Sequence, residues 1–373
     1  MEASWSFVLR PSSKERERML EFETKGTPSE RGRQQGEICR DLVAPWMDRM
    51  MQEMVDRFQE PSSSHVVRRV HDDVQRWMRQ MDTIYPEAGE ECRGIASGLG
   101  MDEDMYFTIA FSARLLGKLA QCTTLGFRDA RGRPILGKTD DIFQPELGMN
   151  VLETTWPSHG HRHVHLHFAG SIWTVAGMNE HGLAMAMTGI PGPALEEEGL
   201  FSLVSLHTIL PACATVSEAL VHLRDLRVNF YGFSLLIGDG EGDLALVEKT
   251  GSGMVVLPEQ KGGFLLHTNH ILDAEFAARN PEQSPLFLDN GRRRFENALR
   301  QAPDLSFSEE GMTAFLSDRA PCGAIRQQGE DGLYSDFRIM FLPTEKKIVV
   351  WSGYPEEAEA RTVELDAIFS RRA

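Results

Sequence analysis

Of the five scattered cysteines (Cys39, Cys92, Cys122, Cys213 and Cys322), Cys122 has the surroundings of a reactive thiol. It opens an apolar run and is followed by two hydroxyl residues, Thr123 and Thr124. The run CTTLGF, the turn DARGR and the run PILGKTDD read as a two-strand hairpin whose far end returns to its start. Lys138 and either Asp140 or Asp141 then come near the thiol. A thiol needs a nearby base or cation to become a thiolate at neutral pH, and no histidine lies close in sequence. Cutting the peptide bond between Gln121 and Cys122 offers another base. The freed α-amino group has a pKa of roughly 7.7–8.0 and sits within the same residue, and an aspartate can hold it in place. The alternative is a buried structural thiol, the ordinary state of a free cysteine.

Other residues invite sharper chemistry than their context supports. The run HGHRHVHLH sets His159, His161, His163, His165 and His167 at period two, on one face of a strand. That spacing fits a metal-dependent hydrolase, but no acidic ligand is interleaved and a strand with one polar face explains it as well, so no metal is expected. His267 and His270 flank Asn269 and read as pocket-shaping or core residues. GDGEGD (238–243) lacks the spaced ligands of a calcium loop and reads as a β-turn. Gly94, Gly98 and Gly100 read as helix packing and a helix stop, because no Lys-Ser/Thr follows as in a phosphate loop. Arg292–Arg294 reads as a solvated helix face. The Met- and Phe-rich patches read as core that could also line an acyl pocket.

The elements that position these residues fall into two regimes. Residues 29–60 repeat apolar positions at helical spacing, with Ser29 as an N-cap signal and Pro45 as a break or kink. Helices are expected at about 64–82, from Pro86 to the Gly98–Gly100 stop, and from Asp102 to about Leu116. From residue 122 the pattern turns to strands: MNVLETTW, HVHLHFA, SIWTVAGM and GLAMAMTG, then FSLLIGD, LALVEK, GMVVLPE and GGFLLHTNH. Helices recur at Val216–Leu226, 285–301 and 308–318, and SDFRIMFLP and KIVVWSG close the series. Strand clusters flanked by helices predict an α+β layering. No linker or repeat divides the chain, which predicts a single domain.

The totals narrow the partners. A formal net charge of -16 disfavours nucleic acid and anionic membrane surfaces, which need a basic face. No apolar run approaches the length of a membrane span, and the N-terminus lacks an apolar segment followed by a cleavage site. An odd, dispersed cysteine set without CxxC argues against disulfides and thiolate zinc. A cytoplasmic protein without a cofactor is expected.

These residues carry a resemblance. CTT, a strand, a Gly-containing turn and the tip Gly137-Lys138-Thr139-Asp140-Asp141 resemble the N-terminal-nucleophile (Ntn) hydrolases. Within them the chain is most similar to the isopenicillin-N acyltransferase (acyl-CoA:6-aminopenicillanate acyltransferase) family, and more distantly to the bile-salt and penicillin V hydrolases. GTPSERGRQQGE (26–37), EECRGIASGLGMDEDMY (90–106), GMNEHGLAMAM (177–187), FSLLIGDGEGDLALVE (233–248) and HTNH (267–270) follow the family's segments in order. The likeness spans roughly residues 26–350.

The resemblance implies a four-layer αββα sandwich and self-cleavage into an α-chain of 1–121, mostly helical, and a β-chain of 122–373 carrying the nucleophile, together one αβ heterodimeric domain. It implies Cys122 as nucleophile, with its amine as base. Asp141 would orient the amine, with Asp140 the near alternative, and Asn269 would donate to the oxyanion. Lys138, Arg294 and Arg326 are the candidate basic residues near the thiol. Gln121 stands where the family often has glycine, and Gly189 stands where the bile-salt hydrolases have a second oxyanion asparagine, leaving only a backbone donor. The implied activity is an amidohydrolase or acyltransferase acting on a small-molecule amide or acyl donor, with a possible acceptor amine. The two rival readings are the metal-dependent hydrolase on the His159–His167 strand and a non-enzymatic Ntn-fold binding protein.

Overall fold

The computed structural model describes residues 19–116, 121–143, 146–192, 199–280, 285–320, 323–352 and 359–370, so Cys322 lies outside it. A strand absent from the sequence reading, β1 (Glu21–Gly26), comes first. Helix α1 (Pro28–Phe58) starts at Thr27 rather than Ser29. The Thr27 hydroxyl accepts the Glu30 N–H, and the Glu30 carboxylate accepts the Thr27 N–H at 2.8 Å, a reciprocal cap. Pro45 does not break this helix, which continues through it. Val43, Trp46, Met47, Met50 and Met54 are buried on both sides of Pro45. Their burial outweighs the roughly 3 kcal/mol that an interior proline costs.

Helices α2 (Ser63–Ile84), α3 (Pro86–Leu99), α4 (Glu103–Ala110) and α5 (Ser112–Leu116) complete the N-terminal third. The expected fourth helix is thus two, parted by a turn at Phe111. Helices α1 and α3 cross backbone to backbone. A Cβ on Gly98 would lie 2.2 Å from the Arg33 carbonyl, and one on Gly32 2.0 Å from the Glu91 carbonyl. Gly94 and Gly98 are therefore packing residues, and Gly100 ends α3 in the left-handed region at φ 71°.

The hairpin follows as β2 (Gln121–Arg128) and β3 (Pro134–Phe143). Then come β4 (Asn150–Pro157), β5 (His163–Phe168), β6 (Thr174–Asn179), β7 (Ala184–Ile190) and the two-residue β8 (Leu200–Phe201). Helices α6 (Ser202–His207), α7 (Ile209–Ala212) and α8 (Val216–Asp225) lead to β9 (Val228–Asn229), β10 (Gly232–Gly238), β11 (Leu244–Thr250), β12 (Gly253–Leu257) and β13 (Phe264–His267). The chain continues through α9 (Ala274–Arg279), α10 (Pro285–Gln301), α11 (Glu309–Leu316), β14 (Leu333–Leu342), β15 (Lys347–Ser352), β16 (Arg361–Glu364) and α12 (Leu365–Phe369).

Two sheets result. One has eight strands in the order β1-β4-β5-β6-β7-β10-β11-β12, and the other six in the order β13-β2-β3-β14-β15-β16. Between them lie Leu136, Leu166, Ala184, Ala186, Leu236 and Ile339. Helices α10 and α11 cover the outer face of the six-stranded sheet through Ala298, Met312 and Phe315 against Leu125, Phe127 and Ile135. Helices α6–α8 cover β7 and β10, and α1–α5 pack beside them against Val151 and Trp173. The layers read helix, sheet, sheet, helix, an α+β sandwich of αββα type. Among the described residues no helix is long and apolar enough to cross a membrane.

Candidate active site

The register of the hairpin decides which side chains meet. Cys122 stands opposite Asp140, Gln121 opposite Asp141 and Thr124 opposite Lys138. Strand side chains alternate faces, so Cys122, Lys138 and Asp140 share the face toward the eight-stranded sheet. Residues 121, 123, 139 and 141 share the face toward α10. The thiol Sγ of Cys122 donates to Asp140 Oδ1 at 3.3 Å. Lys138 Nζ lies 2.9 Å from the same oxygen and donates to the Met187 carbonyl at 2.8 Å. Asn150 Nδ2 donates to Asp140 Oδ2 (3.2 Å) and to Asp336 Oδ2 (2.8 Å). The aspartate at the thiol is thus Asp140, not Asp141, because consecutive strand residues cannot both face it.

Asp141 belongs to the other face, where it accepts from Ser335 Oγ at 2.5 Å and from Thr139 Oγ1 at 3.3 Å. Arg294 from α10 lies 3.9 Å from it. Arg294 is not a solvated residue but fully buried. Its Nη1 donates to the Cys122 carbonyl (2.5 Å) and Thr123 Oγ1 (2.7 Å). Its Nη2 donates to Gln121 Oε1 (2.8 Å) and Asn269 Oδ1 (2.7 Å), and its Nε to Asn290 Oδ1 (2.7 Å). Such a fork fixes several acceptors at once. Asn269 Oδ1 also accepts the Cys122 N–H at 2.9 Å, while Asn269 Nδ2 donates to the Gly189 carbonyl at 2.9 Å. In the continuous chain Asn269 therefore holds the Cys122 nitrogen, its amide donor is occupied, and Gly189 offers its carbonyl to the site.

Burial dominates the electrostatics. It pushes the Cys122 thiol up to about 12; the Lys138 ammonium opposes that shift and the Asp140 carboxylate adds to it. Burial pulls Lys138 down, but Asp140 and the Cys122 sulfur outweigh it and hold Lys138 above its ordinary value. Burial raises Asp141 to about 6, against the Arg294 guanidinium and the Ser335 hydrogen bond. Asp336 is likewise raised to about 6 by burial, against the Gly148 N–H and Asn150.

An apolar cavity opens on the thiol face. Cys122, Asp140 and Asn150 sit at its polar end, and Trp46, Met50, Phe168, Trp173, Met187, Phe201 and Tyr231 form much of the rest. Trp46 and Met50 come from α1, so the N-terminal helical third builds part of the pocket wall.

The remaining sequence candidates separate. Arg326 is buried beside Arg338, whose guanidinium burial lowers first and the fields of Arg326 and Arg319 lower further. His267 bridges the sheets, with Nε2 2.9 Å from Glu248 and Nδ1 2.9 Å from Thr188 Oγ1. In GDGEGD, one Asp239 oxygen accepts the N–H groups of Glu241 and Asp243, a turn and not a cation loop. The five histidines do not share one face: His163, His165 and His167 are buried beneath helices, His161 pairs with His181 at 3.0 Å, and His159 is exposed. A substrate cannot reach the buried three, so His163, His165 and His167 do not form an open site for a metal-dependent hydrolase. An acidic partner does exist, Glu153 on the neighbouring strand, 2.8 Å from His167. Asn150, Asp336, Ser335 and Asn290 escaped the sequence reading. Asp336 alone carried a signal, as an acid inside the apolar run SDFRIMF.

The family model described as Acyl-coenzyme A:6-aminopenicillanic acid acyl-transferase matches residues 128–331. No curated protein matches the chain in sequence. Similar solved structures include a mutant conjugated bile acid hydrolase from Clostridium perfringens, 13% identical, covering 66% of this chain and 93% of that one, with a TM-score of 0.41. They also include penicillin V acylase from Agrobacterium tumefaciens (18% identical, 65% and 86% covered, TM-score 0.43). A third is the Caenorhabditis elegans ortholog of N-acylethanolamine-hydrolyzing acid amidase (15% identical, 60% and 93% covered, TM-score 0.43).

Proposed function

From the premise that this chain belongs to the acyl-coenzyme A:6-aminopenicillanic acid acyl-transferase family, we propose that it cuts itself between Gln121 and Cys122 and then cleaves or transfers an acyl group through a Cys122 thioester. The matched region begins just after the nucleophile strand's Phe127, so Cys122 itself rests on geometry. The observation that carries the reading is the Cys122 thiol, 3.3 Å from Asp140 beside Lys138, at the polar end of an apolar cavity.

In maturation the Cys122 sulfur attacks the Gln121 carbonyl carbon, the C–N bond breaks and the released nitrogen takes the thiol proton. Water then hydrolyses the thioester, leaving a carboxylate on Gln121 and a free thiol and amine on Cys122. The chain becomes a heterodimer of residues 1–121 and 122–373. This step also answers the high thiol pKa, because the new amine stands within one residue of the sulfur. Asn269 Oδ1, which accepts the Cys122 N–H in the uncut chain, orients that amine. Lys138 stabilises developing thiolate charge and Asp140 holds Lys138. Asn269 thereby takes the amine-orienting place first expected of Asp141, and Asp140 is the aspartate at the thiol. Arg294 fixes the Cys122 carbonyl and Asn269. Asn269 Nδ2 reaches an oxyanion only by leaving the Gly189 carbonyl.

In turnover the amine takes the thiol proton, the sulfur attacks the substrate carbonyl, and the leaving group departs with that proton. Water completes hydrolysis, and an acceptor amine completes transfer. The apolar cavity suits an apolar acyl group. The described cysteines are free thiols, as in a reducing cytoplasm.

Intact mass of the purified protein tests this. Two fragments are expected, the larger beginning at Cys122, with one uncut chain for Cys122→Ala. A wild type that stays uncut after prolonged incubation would refute the processing step.

A further inference from the structure

A second polar cluster lies behind the eight-stranded sheet, under α1 and α3, and the thiol site does not use it. Glu153 on β4 stands opposite His165 on β5, and His167 lies two residues on, so strand alternation puts all three on one face. All three are buried, and one ligand atom from each lies within 4.8 Å of the others. Nε2 of His167 is 2.8 Å, and Nε2 of His165 3.8 Å, from the same oxygen of Glu153.

The outward ring nitrogens determine what the inward ones can be. Nδ1 of His167 faces the Phe168 carbonyl at 3.1 Å, which can only accept, so Nδ1 carries a hydrogen. Nδ1 of His165 lies 3.0 Å from the Thr174 hydroxyl. His167 held this way presents Nε2 as a lone pair, the arrangement that supports metal-bound histidine. Nε2 of His165, which also lies 3.3 Å from the Thr155 hydroxyl, does the same when Thr174 accepts from its Nδ1. A lone pair aimed at a carboxylate oxygen repels it unless a positive species lies between them. The carboxylates of Glu91 and Glu153 share one guanidinium, Arg31, while Nε2 of His207 lies 3.3 Å from Glu91.

Gln35 on α1 adds an independent sign. It is 1% exposed, its Nε2 lies 3.4 Å from the same Glu153 oxygen, and its Oε1 has no hydrogen-bond partner among the described residues. Rotation of that amide would bring an orphaned carbonyl oxygen toward the cluster, satisfying a buried acceptor.

We propose that Glu153, His165 and His167 bind a single divalent ion of the zinc class, with Gln35 Oε1 as fourth ligand. Two imidazoles and two oxygens form a set that suits such an ion. The site is sealed by protein ligands and is structural: it ties α1, which carries pocket residues Trp46 and Met50, to the sheet. It does not depend on the thiol chemistry.

Full-length protein expressed with zinc in the medium is purified and its metal content measured, alongside His167→Gln, Glu153→Gln and His181→Gln. The last alters the more exposed trio of His161, Glu180 and His181. About one retained zinc per chain is expected in wild type and His181→Gln, with roughly tenfold or greater loss in His167→Gln and Glu153→Gln. Should the buried-site variants fail to fold, cobalt(II) loading of the wild type decides, since four-coordinate imidazole-bound cobalt gives intense visible absorption. A wild type without zinc, zinc lost with His181→Gln, zinc kept by a folded His167→Gln, or no such cobalt band overturns the assignment and leaves a proton as the bridging charge.

Discussion

On the face of the β2–β3 hairpin turned toward the eight-stranded sheet, Cys122, Lys138 and Asp140 meet beside an apolar cavity. On the opposite face, Gln121, Thr123 and Asp141 are gathered around Arg294 from α10. Both faces are buried and each holds one cation and one aspartate. They differ in the type of cation and in what lies beyond it. Lysine is a compact charge on a flexible stem, suited to following charge on sulfur. Arginine is a planar fork suited to fixing several oxygens. The inner face can meet a substrate, whereas α10 closes the outer one. On the proposed function, equal polarity and burial serve chemistry on one side and positioning on the other.

The largest test of that division is Cys122→Ala. It should abolish self-cleavage and reduce hydrolysis of acyl amides by roughly 10⁴-fold or more, measured by intact mass and amine release. Next, Asp140→Asn should lower kcat by about 10²–10⁴-fold and, because the Asp140 carboxylate adds to the rise of the thiol, speed alkylation of Cys122 by iodoacetamide. Asp141→Asn should stay within about tenfold of wild type in both. Equal losses from the two would collapse the comparison.

Arg294→Met should act mainly on stability, by about 3–5 kcal/mol in chemical denaturation, because it leaves buried acceptors and Asp141 without their cation. A variant of wild-type stability would show that the outer face is not a scaffold.

The smallest effect is in pH. Folding raises Asp141 from an ordinary carboxyl value to about 6, so the folded state binds more protons than the unfolded one between about pH 4 and 6. Its contribution is fully present below the unfolded pKa and is lost as pH rises through 6. The melting temperature of wild type should therefore gain on Asp141→Asn as pH falls from 7 to 5, by an amount worth about 1 kcal/mol. A difference that does not move with pH would place the Asp141 carboxyl outside this account.

Much of the fold was legible because periodicity reports burial. The hairpin from Cys122 to Asp141, α2, α3 and the later strands follow from apolar alternation and glycine punctuation. The edge strands β1 and β16 were not legible, since each carries charged residues and is held by its neighbour's backbone. Pro45 misled because local propensity was outweighed by burial on both sides. At the site, residue types pointed to Cys122 and Lys138, the family resemblance added Asn269 and Arg294, and the structure gathers all four. Asn150 and Ser335 gave no signal, since they act through partners far along the chain.

The sequence by itself determined the nucleophile candidate, its cation and the layered class, because these depend on residue type and short spacing. Only the tertiary structure decided between Asp140 and Asp141. That choice is a matter of strand register and face, and a shift of one residue exchanges the two sides. The structure alone also assigned Arg294 to the outer face and brought Glu153 beneath the histidines, since both depend on which elements become neighbours across long stretches of chain.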